Sequence, residues 1–365
     1  MSNRSIIIAE AGVNHNGSPQ LARELVSAAA ESGVDAVKFQ TFRAESVVTA
    51  SAKKAEYQIV NTGESGSQLE MIRLLELDES TFKELAVQAE NSGLQFLSTA
   101  FDMKSLRFLA EDIGVDTIKI PSGEANNGPY ILACARLGRP IILSTGMCTL
   151  KEVASALDVI AYGFLDFQTP RGLDEVEGLA STEAGYASLK DRVTILHCTT
   201  EYPAPFGEVN LQAMGLMAKH FGLPVGYSDH TKGISVPIAA AALGARVIEK
   251  HFTLDRSMEG PDHAASVEPS ELSAMVKAIR ETEAALGEPV KDVSPSETKN
   301  KMVARRSIVA ARAILAGEIY SADMLSTKRP GDGLSPMRIW DMIGLTAERD
   351  YALDEAIELP TKKLK

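Results

Sequence analysis

The sequence predicts an α/β protein whose main domain is a closed (β/α)8 barrel, followed by a small carboxyl-terminal domain. Eight short apolar segments recur along the chain, and each is followed by a helical pattern. Strand and helix alternating eight times within roughly 280 residues is typical of this barrel. An open doubly wound sheet is the alternative, but no Gly-x-Gly-x-x-Gly fingerprint follows the first strand.

The predicted strands are short, aliphatic and rich in β-branched residues. In chain order they are residues 5–12, 35–41, 95–101, 117–123, 140–146, 193–199, 224–230 and 246–254.

Helical patterns lie between the strands. The stretches 18–33 and 149–163 begin with a Ser or Thr cap, carry apolar residues three and four positions apart, and end at Gly.

Two longer segments interrupt the alternation. Residues 43–71 follow strand two, which places them at the catalytic mouth of a barrel, where they are able to form a lid. Residues 164–191 precede strand six, so we expect a surface insertion at the opposite end, away from the chemistry.

The chain divides into two predicted domains. Residues 1–287 form the barrel, the polar stretch 288–300 is a linker without periodicity, and residues 301–360 form the small domain. A domain of about 60 residues buries only a modest core, so we expect it to depend on other contacts.

Composition limits the class of function. A net charge of -12 without clusters of Lys and Arg excludes general nucleic-acid binding and favours small-molecule partners. Three widely spaced cysteines indicate neither a disulfide framework nor a thiolate zinc site. The first apolar run is too short for a signal peptide, and no later run reaches membrane-spanning length. We therefore expect a cytoplasmic protein without membrane contact.

Polar residues collect where the predicted strands end. Active sites of these barrels form at the carboxyl ends of the strands, so such residues are candidate site residues. They are Glu10, Asn14, His15, Lys38, Gln40, Thr99, Lys119, Ser122, Glu124, Ser144, His197, Thr199, Thr200, Tyr202, Ser228, Asp229, His230 and His251.

Two histidines suggest a metal site. His230 and His251 end adjacent strands, which lie about 4.8 Å apart, so both imidazoles are able to bind one ion. Two protein ligands leave positions open, as suits octahedral Mn²⁺, Mg²⁺ or Co²⁺ rather than structural zinc. The alternative is that these histidines only form packing hydrogen bonds.

Two lysines and several hydroxyls suggest a phosphate site. Lys38 and Lys119 supply ammonium groups, and the hydroxyl donors near them in the predicted barrel are Thr99, Ser122, Ser144 and Ser228. A barrel lysine is also able to form a Schiff base, so a class I aldolase remains an alternative. Cys198 and His197 lie on opposite faces of one strand, which disfavours a thiol nucleophile.

Ten motifs in order give the chain a resemblance to a known family. They are "AEAGVNHNGS", "AVKFQTF", "KAEYQ", "FLSTAFD", "KIPSGE", "IILSTGM", "ILHCTTEYPAPFGEVNL", "GYSDHT", "IEKHFTLDRSMEGPDH" and "TKRPGDG". Together they resemble the bacterial N-acetylneuraminate (sialic acid) synthases. The resemblance implies a barrel followed by an antifreeze-like (SAF, β-clip) domain, which reaches across a domain-swapped homodimer to the partner's site.

The resemblance also implies residue roles. His230 and His251 match metal ligands, and Glu10 matches a glutamate at the reacting centre. Lys38, Thr99, Lys119, Ser122, Ser144 and Ser228 match the groups around phosphoenolpyruvate. Gln40, Glu124, Tyr202 and Asp262 match positions that hold the acceptor sugar, and Arg329 matches an arginine brought from the other subunit. His251 then faces the barrel mouth, and Lys250 faces outward with its stem along the helices.

The implied reaction condenses phosphoenolpyruvate, N-acetylmannosamine and water to N-acetylneuraminate and phosphate, with a divalent metal, most often Mn²⁺, on the aldehyde oxygen. An alternative acceptor is the 2,4-diacetamido-2,4,6-trideoxymannose of legionaminate synthesis. A carbohydrate-binding module without catalysis is a further alternative, suggested only by the antifreeze-like tail.

Overall fold

The computed structural model describes residues 4–62 and 66–360. The chain forms two compact units, divided between Gly287 and Glu288. They are called the barrel unit and the carboxyl-terminal unit.

The barrel unit contains a closed barrel of eight parallel strands in sequential order, which confirms the predicted fold. The strands are β1 (Ile6–Gly12), β2 (Ala36–Thr41), β3 (Gln95–Ala100), β4 (Ile118–Ile120), β5 (Ile141–Ser144), β6 (Val193–Cys198), β7 (Val225–Asp229) and β8 (Val247–His251). The fourth strand is shorter than predicted because Pro121 follows it, and proline has no N–H to continue a ladder.

The helices of the barrel unit are α1 (Pro19–Glu31), α2 (Ala44–Val47), α3 (Glu56–Thr62), α4 (Gln68–Arg73), α5 (Glu79–Asn91), α6 (Met103–Arg107), α7 (Gly128–Arg136), α8 (Leu150–Phe164), α9 (Glu183–Leu189), α10 (Gln212–Phe221), α11 (Ser235–Ala242) and α12 (Pro269–Leu286). The predicted caps are present: Ser18 accepts a hydrogen bond from Leu21, and Thr149 forms a capping box with Glu152.

Within residues 4–62 and 66–360, no helix has both the length and the apolar character that crossing a membrane requires.

The barrel interior changes from apolar to polar along its axis. Its apolar layer is a separate cluster of buried side chains: Ile8, Ala36, Leu97, Ile142, Leu196 and Val247. Because side chains alternate with period two, the next inward residues toward the carboxyl ends include Glu10, Lys38, Thr99 and Glu249. The apolar layer closes the barrel from below, and polar groups fill its upper part.

The two insertions differ in where they lie. Segment 43–71 contributes Gln58 and Met71 to the cavity at the carboxyl ends of the strands, the end predicted from its place after strand two. Segment 164–191 contributes no residue to that cavity; its Val176 packs against Leu132 and Tyr162.

The carboxyl-terminal unit contains α13 (Pro295–Ala304), β9 (Ser307–Ala310), β10 (Leu325–Lys328) and α14 (Ile339–Met342), with β9 and β10 antiparallel. It has a core of its own, in which Ile308, Tyr320 and Met342 are buried.

Helix α13 begins within the segment 288–300 that was predicted to be a linker. Ser294 and Glu297 form a capping box, with Pro295 at the first helical position. No side chain of α13 is buried, which is why its sequence shows no apolar period.

Candidate active site

A cavity of ≈ 290 Å³ opens at the carboxyl ends of the strands. Within the barrel unit, every residue to which the resemblance assigns a role lines this cavity except Glu124. Those present are Glu10, Lys38, Gln40, Thr99, Lys119, Ser122, Ser144, Tyr202, Ser228, His230, His251 and Asp262. Of the other strand-end candidates Thr200 lines it, and Asn14, His15, His197, Thr199 and Asp229 do not.

In the cavity floor, Lys38 pairs with Glu10. Lys38 Nζ lies 2.7 Å from Glu10 Oε2 and donates a hydrogen bond of 2.9 Å to Thr99 Oγ1. Gln40 Nε2 donates to Glu10 Oε1 at 3.2 Å. Lys38 and Gln40 face inward together because they are two positions apart in β2.

A second ion pair in the floor joins Lys119 to Glu249, and Lys38 Nζ also lies 3.7 Å from Glu249 Oε2. Lys119 Nζ donates to Ser144 Oγ at 2.8 Å and lies 3.4 Å from Glu249 Oε1. Ser228 Oγ donates to the same carboxylate oxygen at 2.9 Å. The sequence reasoning missed Glu249, although its position two residues before His251 places both on one face of β8.

Burial and neighbouring charges shift the pKa values of these groups. Burial raises the pKa of Glu10 to about 7; Lys38 opposes this shift and Glu249 adds to it. Although burial disfavours a charged carboxylate, Lys119 and Lys38 lower the pKa of Glu249 to about 2. Burial lowers the pKa of Lys119, whereas the acidic neighbours of Lys38 outweigh burial and raise its pKa. Glu249 is therefore the fixed negative charge, and Glu10 exchanges its proton near neutral pH.

The two predicted metal ligands lie side by side. The ring centroids of His230 and His251 are 5.3 Å apart, and the Tyr202 ring lies 4.2 Å from the first and 5.4 Å from the second. His230 Nδ1 lies 2.5 Å from the carbonyl oxygen of Thr199, which fixes this nitrogen as the donor and leaves Nε2 with its lone pair. His251 Nδ1 lies 3.6 Å from Asp262 Oδ2.

The donor chemistry of this pair fits a divalent metal. Burial lowers the pKa of both histidines, which favours the neutral imidazole that binds a metal. His251 Nδ1 is buried and makes no hydrogen bond. Among the described residues no group of three or more His, Cys, Asp or Glu side chains forms a metal cage. Two histidines with open positions would hold an ion that also binds water or substrate oxygen.

The outer wall of the cavity is apolar. Val13, Phe42 and Leu75 form a buried cluster, against which Ile72 and Phe101 pack. All five line the cavity. One site thus combines a charged floor with a wall suited to methyl groups.

One predicted sugar-binding residue of the barrel unit, Glu124, does not line the cavity. Glu124 lies in the short helical turn Ser122–Glu124 and accepts a hydrogen bond of 2.6 Å from Asn127 Nδ2. Arg329 is exposed and follows β10 in the carboxyl-terminal unit.

The neighbouring polar residues have structural partners. His15, whose role the sequence left open, is buried and accepts a hydrogen bond from the Gly17 N–H in its own turn. Cys198 lines the cavity while His197 Nε2 contacts the carbonyl oxygen of Val209, so the pair faces opposite sides as predicted. Lys250 faces the helices, as predicted, and there it is fully buried and ion-paired with Asp229.

Family models match most of the chain. The NeuB family model matches residues 25–291, and the SAF domain model matches residues 305–358.

Two curated relatives share nearly half of their residues with this chain. The N,N'-diacetyllegionaminic acid synthase of Campylobacter jejuni is 47% identical over 97% of this chain and 99% of that protein. The protein of the same name from Legionella pneumophila is 47% identical over 93% of this chain and 89% of that protein.

A solved structure has the same fold. The N-acetylneuraminic acid (sialic acid) synthetase of Leptospira borgpetersenii matches with a TM-score of 0.65 and 29% identity, over 82% of this chain and 90% of that chain.

Proposed function

The chain belongs to the NeuB family and carries a SAF domain, and from this premise we propose that it is a legionaminate-type synthase, which condenses phosphoenolpyruvate with 2,4-diacetamido-2,4,6-trideoxymannose. We choose this acceptor because the chain is 47% identical to two N,N'-diacetyllegionaminic acid synthases. N-acetylmannosamine was the first acceptor expected from the sequence, and we propose the alternative acceptor, the trideoxy sugar, in its place.

The charged floor suits phosphoenolpyruvate. Lys38 and Lys119 both reach the cavity floor next to Glu249, and each is held by a carboxylate and a hydroxyl. In the proposed role they bind the phosphate, while Ser144 and Thr99 donate hydrogen bonds. Glu249 holds both ammonium groups in place, so that the site is organised before the substrate enters.

The proposed reaction joins C3 of phosphoenolpyruvate to the aldehyde carbon of the open-chain sugar. Water adds to C2, and phosphate leaves as the C–O bond breaks. Glu10 is placed to hold or release the proton of the added water, because its carboxyl titrates near neutral pH.

The apolar wall supports the choice of acceptor. The legionaminate precursor carries two acetamido methyl groups and a methyl at C6, whereas N-acetylmannosamine carries hydroxyls at C4 and C6. Phe42, Ile72, Leu75 and Phe101 offer no hydrogen-bond partner to a hydroxyl, and a hydroxyl that loses water without a new partner destabilises the complex.

The acceptor preference is testable by phosphate release. We expect kcat/KM with the trideoxy sugar to exceed that with N-acetylmannosamine by about 10- to 100-fold, as for hydroxyl groups placed in apolar pockets. The variant Ile72→Asn should reduce this ratio, because it adds an amide to the wall. Leu74→Asn is the matched control, since Leu74 is 76% exposed in the same segment. Equal kcat/KM values for both sugars in the parent would contradict the assignment.

We also propose that His230 and His251 hold a divalent metal, Mn²⁺ by preference and Mg²⁺ or Co²⁺ as alternatives. When bound, such an ion supplies a Lewis acid that polarises the aldehyde oxygen. Asp262, whose pKa burial raises to about 6, lies beside His251 and is placed to orient it or to contact the sugar.

Metal removal tests this assignment. Dialysis against EDTA is expected to abolish condensation, and Mn²⁺ is expected to restore it, because no other group lining the cavity is a Lewis acid. His230→Ala and His251→Ala should lose activity that Mn²⁺ does not restore. Full turnover in metal-free buffer would refute the proposed metal.

A class I aldolase is the second candidate, favoured by one observation: burial lowers the pKa of Lys119 and thereby favours its neutral amine. Its hydrogen bonds to Ser144 and Glu249 instead suit a charged ammonium. Borohydride treatment with pyruvate distinguishes the aldolase from the synthase, since a Schiff base is trapped as a covalent adduct and a phosphate-binding lysine is not.

A further inference from the structure

A buried ion pair lies directly behind the two cavity histidines. Lys250 of β8 and Asp229 of β7 are register partners, and both side chains are fully buried on the helix-facing side of the barrel. Lys250 Nζ lies 2.5 Å from Asp229 Oδ2. Removing two charges from water carries a large desolvation penalty, so such a pair is not explained by stability alone.

Asp229 closes a turn around His230. Its Oδ1 accepts hydrogen bonds from the Thr231 backbone N–H at 3.1 Å and from Thr231 Oγ1 at 2.9 Å. A carboxylate that binds the N–H two residues ahead forms an Asx turn, which fixes the backbone of the residue between them. The residue between them is His230.

Lys250 holds the other end of the same turn. Besides its ion pair with Asp229, Lys250 Nζ donates to the carbonyl oxygen of Thr231 at 2.5 Å. The Lys250 ammonium therefore contacts the residues before and after His230, which are Asp229 and Thr231. In β8, Lys250 is followed directly by His251. A single side chain thereby links the backbone segments of both histidines.

The neighbouring helix-facing positions of the same two strands carry no charged residue. Tyr227 and Ile248, two residues before Asp229 and Lys250, are buried in the core between strands and helices. Apolar residues would fill the same space without a desolvation penalty. The ion pair occurs where the two chain segments that carry the histidines must be held in one register.

We propose that Lys250, Asp229 and Thr231 form a positioning clamp that sets the separation of His230 and His251 for metal binding. The inference rests on the proposed role of these histidines as metal ligands. None of the three clamp residues lines the cavity, so in this proposal they act through the backbone of the two histidines.

The test compares metal affinity with folding. Asp229→Asn retains the turn acceptor but removes the charge, Lys250→Met removes the link, and Thr231→Val removes only the hydroxyl bond. Asp158→Asn is the matched control: Asp158 is a buried aspartate that accepts from the Gly178 and Ala180 N–H groups and does not line the cavity.

Mn²⁺ titration of the full chain, followed by electron paramagnetic resonance, gives the affinity. We expect the Kd for Mn²⁺ to rise by about 10- to 100-fold in Asp229→Asn and Lys250→Met and by less in Thr231→Val, while the Kd for phosphoenolpyruvate stays within about twofold. Asp158→Asn should lower the unfolding midpoint and leave Mn²⁺ affinity unchanged. A folded Asp229→Asn or Thr231→Val protein with parental Mn²⁺ affinity would overturn the clamp.

A measurement on the metal-free protein distinguishes a failure of the clamp proposal from a failure of the metal assignment. If the parent does not bind Mn²⁺, the metal assignment fails, and imidazole ¹H–¹⁵N spectra of the metal-free protein then test the clamp. Single sharp signals for His230 and His251 in the parent should broaden or double in Asp229→Asn and Thr231→Val. Unchanged spectra in both variants would rule the clamp out.

Discussion

Lys119→Met is expected to reduce kcat/KM for phosphoenolpyruvate by about 10- to 150-fold, because it removes a charge-assisted contact worth about 1.5–3 kcal/mol in a buried site. Only 4% of the Lys119 side chain is exposed, so solvent does not screen its charge. Steady-state phosphate release with varied phosphoenolpyruvate measures the effect. Lys38→Met should act in the same direction.

The control for this prediction makes the same chemical change at the surface. Lys277→Met replaces a lysine that is 77% exposed on α12, and we expect parental kinetics. Thermal unfolding of Lys119→Met is needed beside the kinetics, since Glu249 loses a partner. A Lys119→Met protein that is folded and has parental kcat/KM would show that the phosphate binds elsewhere.

Arg329→Ala and His251→Ala are each expected to lose nearly all condensation activity, and a mixture of the two chains is expected to regain part of it. The reason is the domain-swapped homodimer that the family resemblance implies, which we propose for this chain and in which Arg329 serves the site of the partner chain. A mixed dimer then contains one barrel with His251 intact that receives an intact Arg329. With random pairing of equal amounts, about a quarter of all sites are active.

Tagged chains allow the mixed dimer to be purified and assayed. Arg338→Ala is the matched control, because Arg338 is a surface arginine of the same unit that pairs with Asp341 and should retain parental activity. A purified mixed dimer as inactive as its two parents would show that Arg329 does not act across the dimer. A monomeric parent protein would refute the dimer itself.

The cavity residues that the sequence did predict share one property. Lys38, Thr99, Ser144, Ser228 and His251 are inward-facing residues near the carboxyl ends of parallel strands. Their direction follows from the period-two alternation within one strand, which is a local rule. Eight strand and helix patterns in order were enough to specify the barrel, because each unit is recognisable without its neighbours.

The sequence alone therefore determined the fold, the family resemblance and most of the residues at the barrel mouth. Only the tertiary structure identified Glu249 and its partners: Lys119 and Glu249 are 130 positions apart, and closure of the barrel brings them together. It also excluded Glu124 from the cavity wall, assembled the apolar wall from Val13, Phe42 and Leu75, and buried Lys250 against Asp229. Local periodicity fixes the face on which a side chain lies, whereas its partners depend on contacts between distant segments that exist only after the chain has packed.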